Sequence, residues 1–133
     1  MKKEIKVVAA VILNEQKQIF SAERAYGFLK GKWEFPGGKV EEGESDEAAL
    51  KREIKEELSS EIKIRRFYRN VRYEYPEFIL NRNCYLCSLV KGNLARKENI
   101  HRSEAFHPIE GLKKEDWCPA DQLVVNKLIQ EGI

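Results

Sequence analysis

The sequence predicts a mixed α/β (α+β) sandwich, and three observations carry that prediction. Apolar, β-branched stretches open the chain and return after residue 60. Between them, residues 45–58 contain strong helix formers and neither Pro nor Gly. A second segment with helical periodicity closes the chain at 119–131. Strands, an embedded helix, more strands and a final helix must stack in layers to bury their apolar faces.

The elements follow in order. Residues 5–13 (IKVVAAVIL) read as the first strand, NEQK as a polar turn, and QIFSAER as a second strand, together a hairpin signal. AYGFLKGK is a loop, and WEF is a short strand cut off by Pro36-Gly37-Gly38. EIKIRRFYRNVRYEY and EFILNRNCYLCSLV, separated at Pro76, read as two long strands of an antiparallel ribbon. The region from about 95 to 107 reads as loop, and 111–117 as one short helical turn. Pro119 suits the first turn of the last helix, and Gly132 suits its C-terminal cap.

At 133 residues the chain fits a single domain, 1–133, able to bury roughly two thirds of its unfolded surface. Its 42% apolar and 35% charged content is globular. With 24 basic and 22 acidic residues, charge offers no case for nucleic-acid or acidic-membrane partners. Nothing approaches the ~18 apolar residues of a membrane span. The odd count of three cysteines argues against a secreted disulfide framework and for reduced thiols in the cytoplasm. Cys84 and Cys87 form a CxxC, but strand alternation points them to opposite faces and no second pair completes a zinc site.

The helix at 45–58 carries the chemistry. Ser45 or Asp46 can cap its first turn. Leu50, Ile54 and Leu58 form one apolar stripe, and Glu53, Glu56 and Glu57 fall on an arc of about 100° beside it. Carboxylates so close repel one another unless a hard divalent cation gathers them. Arg52 stands four residues before Glu56, placed to orient it by an ion pair. The preceding Pro36-Gly37-Gly38-Lys39 can bring its backbone close to a phosphate or offer a carbonyl to a metal.

From Gly38 through Glu44 to Arg52-Glu53-Ile54-Lys55-Glu56-Glu57, the chain resembles the Nudix hydrolase signature, GX5EX7REUXEEXGU with U apolar. Its MutT-like branch, with CTP pyrophosphohydrolase and 8-oxo-dGTP diphosphatase relatives, is similar over WEFPGGKVEEGE and PADQL. Ser59 and Ser60 depart from the pattern's last glycine and apolar residue, so the helix either ends differently or strains Ser59 by about 1 kcal/mol.

The resemblance implies a Nudix-type α/β/α sandwich with a mixed sheet, the catalytic helix at about 45–58 and the C-terminal helix at about 119–131. It implies hydrolysis of (deoxy)nucleoside triphosphates, normal or modified, to monophosphate and pyrophosphate by water attack on the β-phosphorus. Other nucleoside diphosphate derivatives, or a non-catalytic nucleotide sensor, are the alternatives. Mg²⁺ (or Mn²⁺) would be held by Glu53, Glu56, Glu57 and the Gly37 carbonyl, with Glu98 or Glu104 as an extra acidic ligand. Glu53 or Glu56 would also serve as base. Glu44 and Arg52 would support the site, and Arg24 and Lys39 would contact phosphate. Asp121 would read the base or merely cap its helix; Phe35, Phe78 and Trp117 would stack on it or belong to the core. Trp33 is expected to pack, and His101 and His107 to be solvated loop histidines. A small-molecule nucleotide is the expected partner, and a monomer is the default state with a dimer left open.

Overall fold

The computed structural model describes residues 2–24, 27, 29–92, 94 and 101–132, with the backbone alone for 101–105. Among them seven strands form one mixed sheet: β1 (Lys3–Leu13), β2 (Gln18–Arg24), β3 (Trp33–Glu34), β4 (Gly37–Lys39), β5 (Glu61–Glu74), β6 (Phe78–Lys91) and β7 (His101–Pro108). Helix α1 (Asp46–Leu58) lies between β4 and β5, and α2 (Pro119–Glu131) ends the chain. Two short 3₁₀ turns, Ile109–Gly111 and Lys114–Asp116, occupy the segment expected to turn once.

Why β1 reads as an unbroken apolar run is explained by its place in the sheet. Val8, Ala10 and Ile12 face α1, Ala9 and Val11 face α2, and all five are buried. A strand covered on both faces loses the usual polar alternation. β1 pairs in parallel with β6 along its whole length, while the other pairings are antiparallel. The hairpin predicted from the NEQK turn closes only at its tip, where Leu13 pairs with Ile19. Beyond that point the facing edges are taken by β4 on β1 and by β3 on β2.

Ser45 caps α1 by accepting from Ala48 N–H at 3.1 Å. Leu50, Ile54 and Leu58 are fully buried on the sheet, each contributing about 1.5–3 kcal/mol by leaving water. Ser59 does adopt the left-handed conformation, φ 50° and ψ 38°, so the helix ends as the glycine pattern requires and serine bears the strain. Ser60 replaces an apolar residue without leaving a buried polar group unpaired. Its hydroxyl donates to Leu58 C=O at 2.8 Å and accepts from Leu94 N–H at 2.9 Å.

One expectation fails: 101–108 is not loop but strand β7, paired with β2 from Gln18 to Arg24. Its polar residues conceal a strand that takes its place through pairing, not apolar alternation. Cys84 and Cys87 fall in opposite core layers, and Cys84, Cys87 and Cys118 are free. Among the described residues no helix is long and apolar enough to cross a membrane.

Candidate active site

The acidic helix meets the sheet at the glycines of β4. A side chain at Gly37 would drive into the Val8 backbone, reaching Ala9 Cα at 2.8 Å. A Cβ at Gly38 would occupy the position of the Glu53 carboxylate. Both positions therefore need glycine for close approach, one to β1 and the other to α1. Glu53 lies over β4 as a result.

Arg52 organises the surrounding carboxylates. Its Nε and Nη2 donate to the two oxygens of Glu44 at 2.7 and 2.9 Å, a bidentate pair. Nη1 donates to Glu53 at 3.0 Å and to Glu56 at 3.3 Å, and Nη2 also donates to the Lys39 carbonyl at 3.0 Å. The Arg52 hydrogen bonds hold the Glu44 carboxyl below the usual carboxylate range, and the same contacts raise Arg52. Glu57 lines a cavity of about 280 Å³ with Gly37, Gly38 and Phe35. Among the described residues no three His, Cys, Asp or Glu side chains converge at metal-binding distance; Glu53 and Glu56 both contact Arg52.

A second cavity, of about 560 Å³, opens between β6 and the start of α2. Tyr75 and Phe78, stacked at 5.1 Å, form an aromatic wall, with Leu80 beside them. Asp121 and Arg82 also line it. Asp121 does not cap its own helix: Cys118 is the N-cap, and the Asp121 carboxylate instead accepts from Phe35 N–H at 3.0 Å. Burial pushes the Asp121 carboxyl up to about 6, against the opposing pull of Arg82, whose Nη2 lies 3.1 Å away. Arg24, Glu34 and Arg82 border both cavities, so the two form one cleft. Arg24 meets Glu34 at 3.1 Å across this junction.

The other expected site residues divide. Phe35 is 4% exposed and stacks on Trp117 at 4.6 Å, so its ring belongs to the core and its backbone to the site. Lys39 is exposed and lines neither cavity. Glu98 lies outside the described residues. Glu104 is part of β7 opposite Ala22, and His101 pairs there with Arg24. His107 is no solvated loop histidine: it contacts Trp33 at 4.8 Å and Trp117 at 6.0 Å, and burial lowers its pKa. Arg82, Tyr75 and Glu34 were missed. Arg82 left a signal, since strand alternation puts it on the face that buries Cys84 and Leu86.

The chain is similar to known proteins over most of its length. The NUDIX domain model matches residues 3–132. The chain is 35% identical over 133 residues to a Haemophilus influenzae protein named 8-oxo-dGTP diphosphatase, covering 98% of this chain and 95% of the relative. It is 34% identical over 119 residues to the Escherichia coli K12 protein named CTP pyrophosphohydrolase, covering 90% of this chain and 87% of that one. Among solved structures, MutT of methicillin-resistant Staphylococcus aureus 252 superposes with a TM-score of 0.74 at 37% identity, covering 99% of this chain and 100% of the other.

Proposed function

The chain belongs to the NUDIX family, and from that premise we propose that it hydrolyses (deoxy)nucleoside triphosphates, oxidised or otherwise modified ones included, to monophosphate and pyrophosphate. The observation that carries this reading is the continuous cleft: an aromatic-walled cavity of about 560 Å³ joined to one lined by Gly37, Gly38 and Glu57. The names of the two similar enzymes, a diphosphatase and a pyrophosphohydrolase for nucleoside triphosphates, support the same substrate class.

A divalent cation fits the chemistry of the donor set, whose side chains do not converge on one point in this structure. The donor set of Glu53, Glu56, Glu57 and the Gly37 carbonyl is all oxygen, as Mg²⁺ or Mn²⁺ requires. Glu53 fills the space that the missing Gly38 side chain leaves, and Glu57 lines the neighbouring cavity with Gly37 and Gly38; Glu53 and Glu56 line neither cavity. When bound, the cation would offset polyphosphate charge and acidify water.

The protein's own groups do the rest. Arg52 fixes Glu44, Glu53 and Glu56, so the carboxylates enter the reaction already oriented. Glu53 or Glu56 takes a proton as water oxygen bonds to the β-phosphorus. The bond from that phosphorus to the α,β-bridging oxygen then breaks, and the oxygen leaves with the monophosphate. Arg24, at the junction, contacts phosphate; Lys39, which lines neither cavity, stands outside this role. Tyr75 and Phe78 stack on the base, and Asp121 accepts from its edge. Three free cysteines suit a reducing cytoplasm.

A pyrophosphate-release assay tests this. The panel contains CTP, dCTP, dGTP, 8-oxo-dGTP, 2-hydroxy-dATP, a nucleotide sugar and a dinucleoside polyphosphate, each with Mg²⁺ and with chelator. Release from triphosphates that chelator abolishes is expected. Cleavage of only the last two substrates would reassign the substrate, and silence on all with nucleotide still bound would leave a sensor.

A further inference from the structure

The chain has two tryptophans, Trp33 and Trp117, and both lean on one histidine. His107 lies on β7 opposite Ile19 of β2, on the face of the sheet that α2 covers. Its ring meets Trp33 edge-on at 4.8 Å and Trp117 at 6.0 Å. Nε2 is buried and has no hydrogen-bond partner among the described residues. On β2 the same face continues through Ser21 to Glu23, which lies opposite Trp33. Asp116, exposed on the second 3₁₀ turn, favours the charged imidazole, but burial lowers the His107 pKa by more.

This histidine stands behind the wall of the cleft. Trp33 and Trp117 are bridged in parallel, and Cys118 N–H donates to the Trp33 carbonyl at 2.9 Å. Trp117 stacks on Phe35 at 4.6 Å, and Phe35 N–H donates to Asp121 at 3.0 Å. The seat of Asp121 therefore rests on rings that rest on His107. A neutral imidazole packs there as an apolar ring. A charged one needs acceptors for both N–H groups, and among the described residues Nε2 has none.

We propose that His107 is a positioning residue for the base end of the cleft: its neutral ring holds the Trp33–Trp117 junction, and its protonation loosens that junction and weakens nucleotide binding in acid. This rests on the nucleotide reading above for its ligand. The effect passes through Phe35 and Cys118, so it falls on KM and leaves kcat, set by the carboxylates of α1, little changed. Its sign follows from the direction of the shift. The unfolded chain takes up the proton at the ordinary 6.5 and the folded chain only at lower pH, so the neutral arrangement is complete above 6.5 and is lost as pH falls through the folded value.

Both tryptophans touch His107, so their emission reads this junction without turnover. Emission and the Kd of dGTP and CTP, by calorimetry with chelator, are followed from about pH 7.5 to about pH 5. In the unmodified protein both should change with one midpoint below 6.5, Kd rising about fivefold or more, the lower end of coupling between two sites. His107→Phe keeps a ring beside the tryptophans and cannot titrate, so it should lose that emission change and most of the rise in Kd. The Asp121 carboxyl titrates in both proteins, and the difference between them isolates the imidazole. Asp116→Asn should move both midpoints lower together, which tests the proposal even where His107→Phe does not fold. A rise in Kd that His107→Phe keeps in full overturns the proposal, as does an emission titration with Kd unmoved. With Mg²⁺ the change should appear in KM, and a change in kcat alone overturns it too. A titrating Kd without pyrophosphate release upholds the positioning role and defeats the triphosphatase; release with KM indifferent to the His107 charge does the reverse. Binding of neither nucleotide defeats the nucleotide reading and this inference with it.

Discussion

Both helices carry an acid that meets an arginine, yet the two arrangements are opposite in kind. On α1, Arg52 has side-chain or carbonyl acceptors at all three of its nitrogens and lies part-exposed among Glu44, Glu53 and Glu56. On α2, Asp121 is 2% exposed and Arg82 is nearly as buried, with donors left over. A saturated, solvated network can hold carboxylates in place at little cost in desolvation. A buried pair is costly in solvation and is stable only with close partners. The first arrangement holds several carboxylates in place at the surface; the second sets one charge pair inside the wall of the cleft.

The sharpest way to break that contrast is at the carboxylates. Glu53→Gln and Glu57→Gln should each lower kcat by roughly 10²-fold or more, the scale of a lost general base or metal ligand, with thermal melting nearly unchanged. Full activity in both variants would remove the metal-site reading of α1.

Arg52→Ala should act on the same chemistry at second hand, lowering turnover about 10- to 100-fold as supporting residues of metal sites do. Its effect on stability should stay within about 1 kcal/mol, because the network is part-exposed. A larger loss of stability than of activity, read by denaturant melts beside kinetics, would make Arg52 a folding residue.

The two networks should also respond to pH with opposite sign. Arg52 lowers the Glu44 pKa below its ordinary 4.5, so that contribution is complete above this value and fades as pH falls through the folded pKa. Burial raises Asp121 from 3.8 to about 6, so its contribution is complete below pH 3.8 and is lost as pH rises through about 6. The melting temperature of the protein relative to Asp121→Asn should therefore decline between these limits. A flat difference across that range would show that the Arg82 charge cancels the desolvation.

The smallest effect concerns the end of α1. Ser59→Gly should relieve the left-handed strain and stabilise the protein by about 0.5–1 kcal/mol in chemical denaturation, with activity retained. Destabilisation would mean that the unfolded-chain entropy of glycine outweighs the strain.

Much of α1 was legible in the sequence because its determinants are local. The Ser45 cap, the Leu50-Ile54-Leu58 stripe and the spacing of Arg52 from Glu56 all act within a few turns of one helix, where 3.6-residue periodicity fixes geometry. The bounds of α2 were legible for the same reason, with Pro119 at its start and Gly132 at its end. What only the tertiary structure decided are contacts between residues far apart in sequence. β7 is a strand because β2 offers it a free edge, and the β1–β2 hairpin opens because β4 takes the edge of β1 that β2 would have used. Phe35 went to Trp117 because that ring stack fills the layer beneath α2. Arg82, 39 residues from Asp121 in sequence (121 − 82), became a partner through folding alone. Periodicity reports which face a side chain occupies, but not which distant residue lies across from it, and the base end of the cleft is built from such pairs.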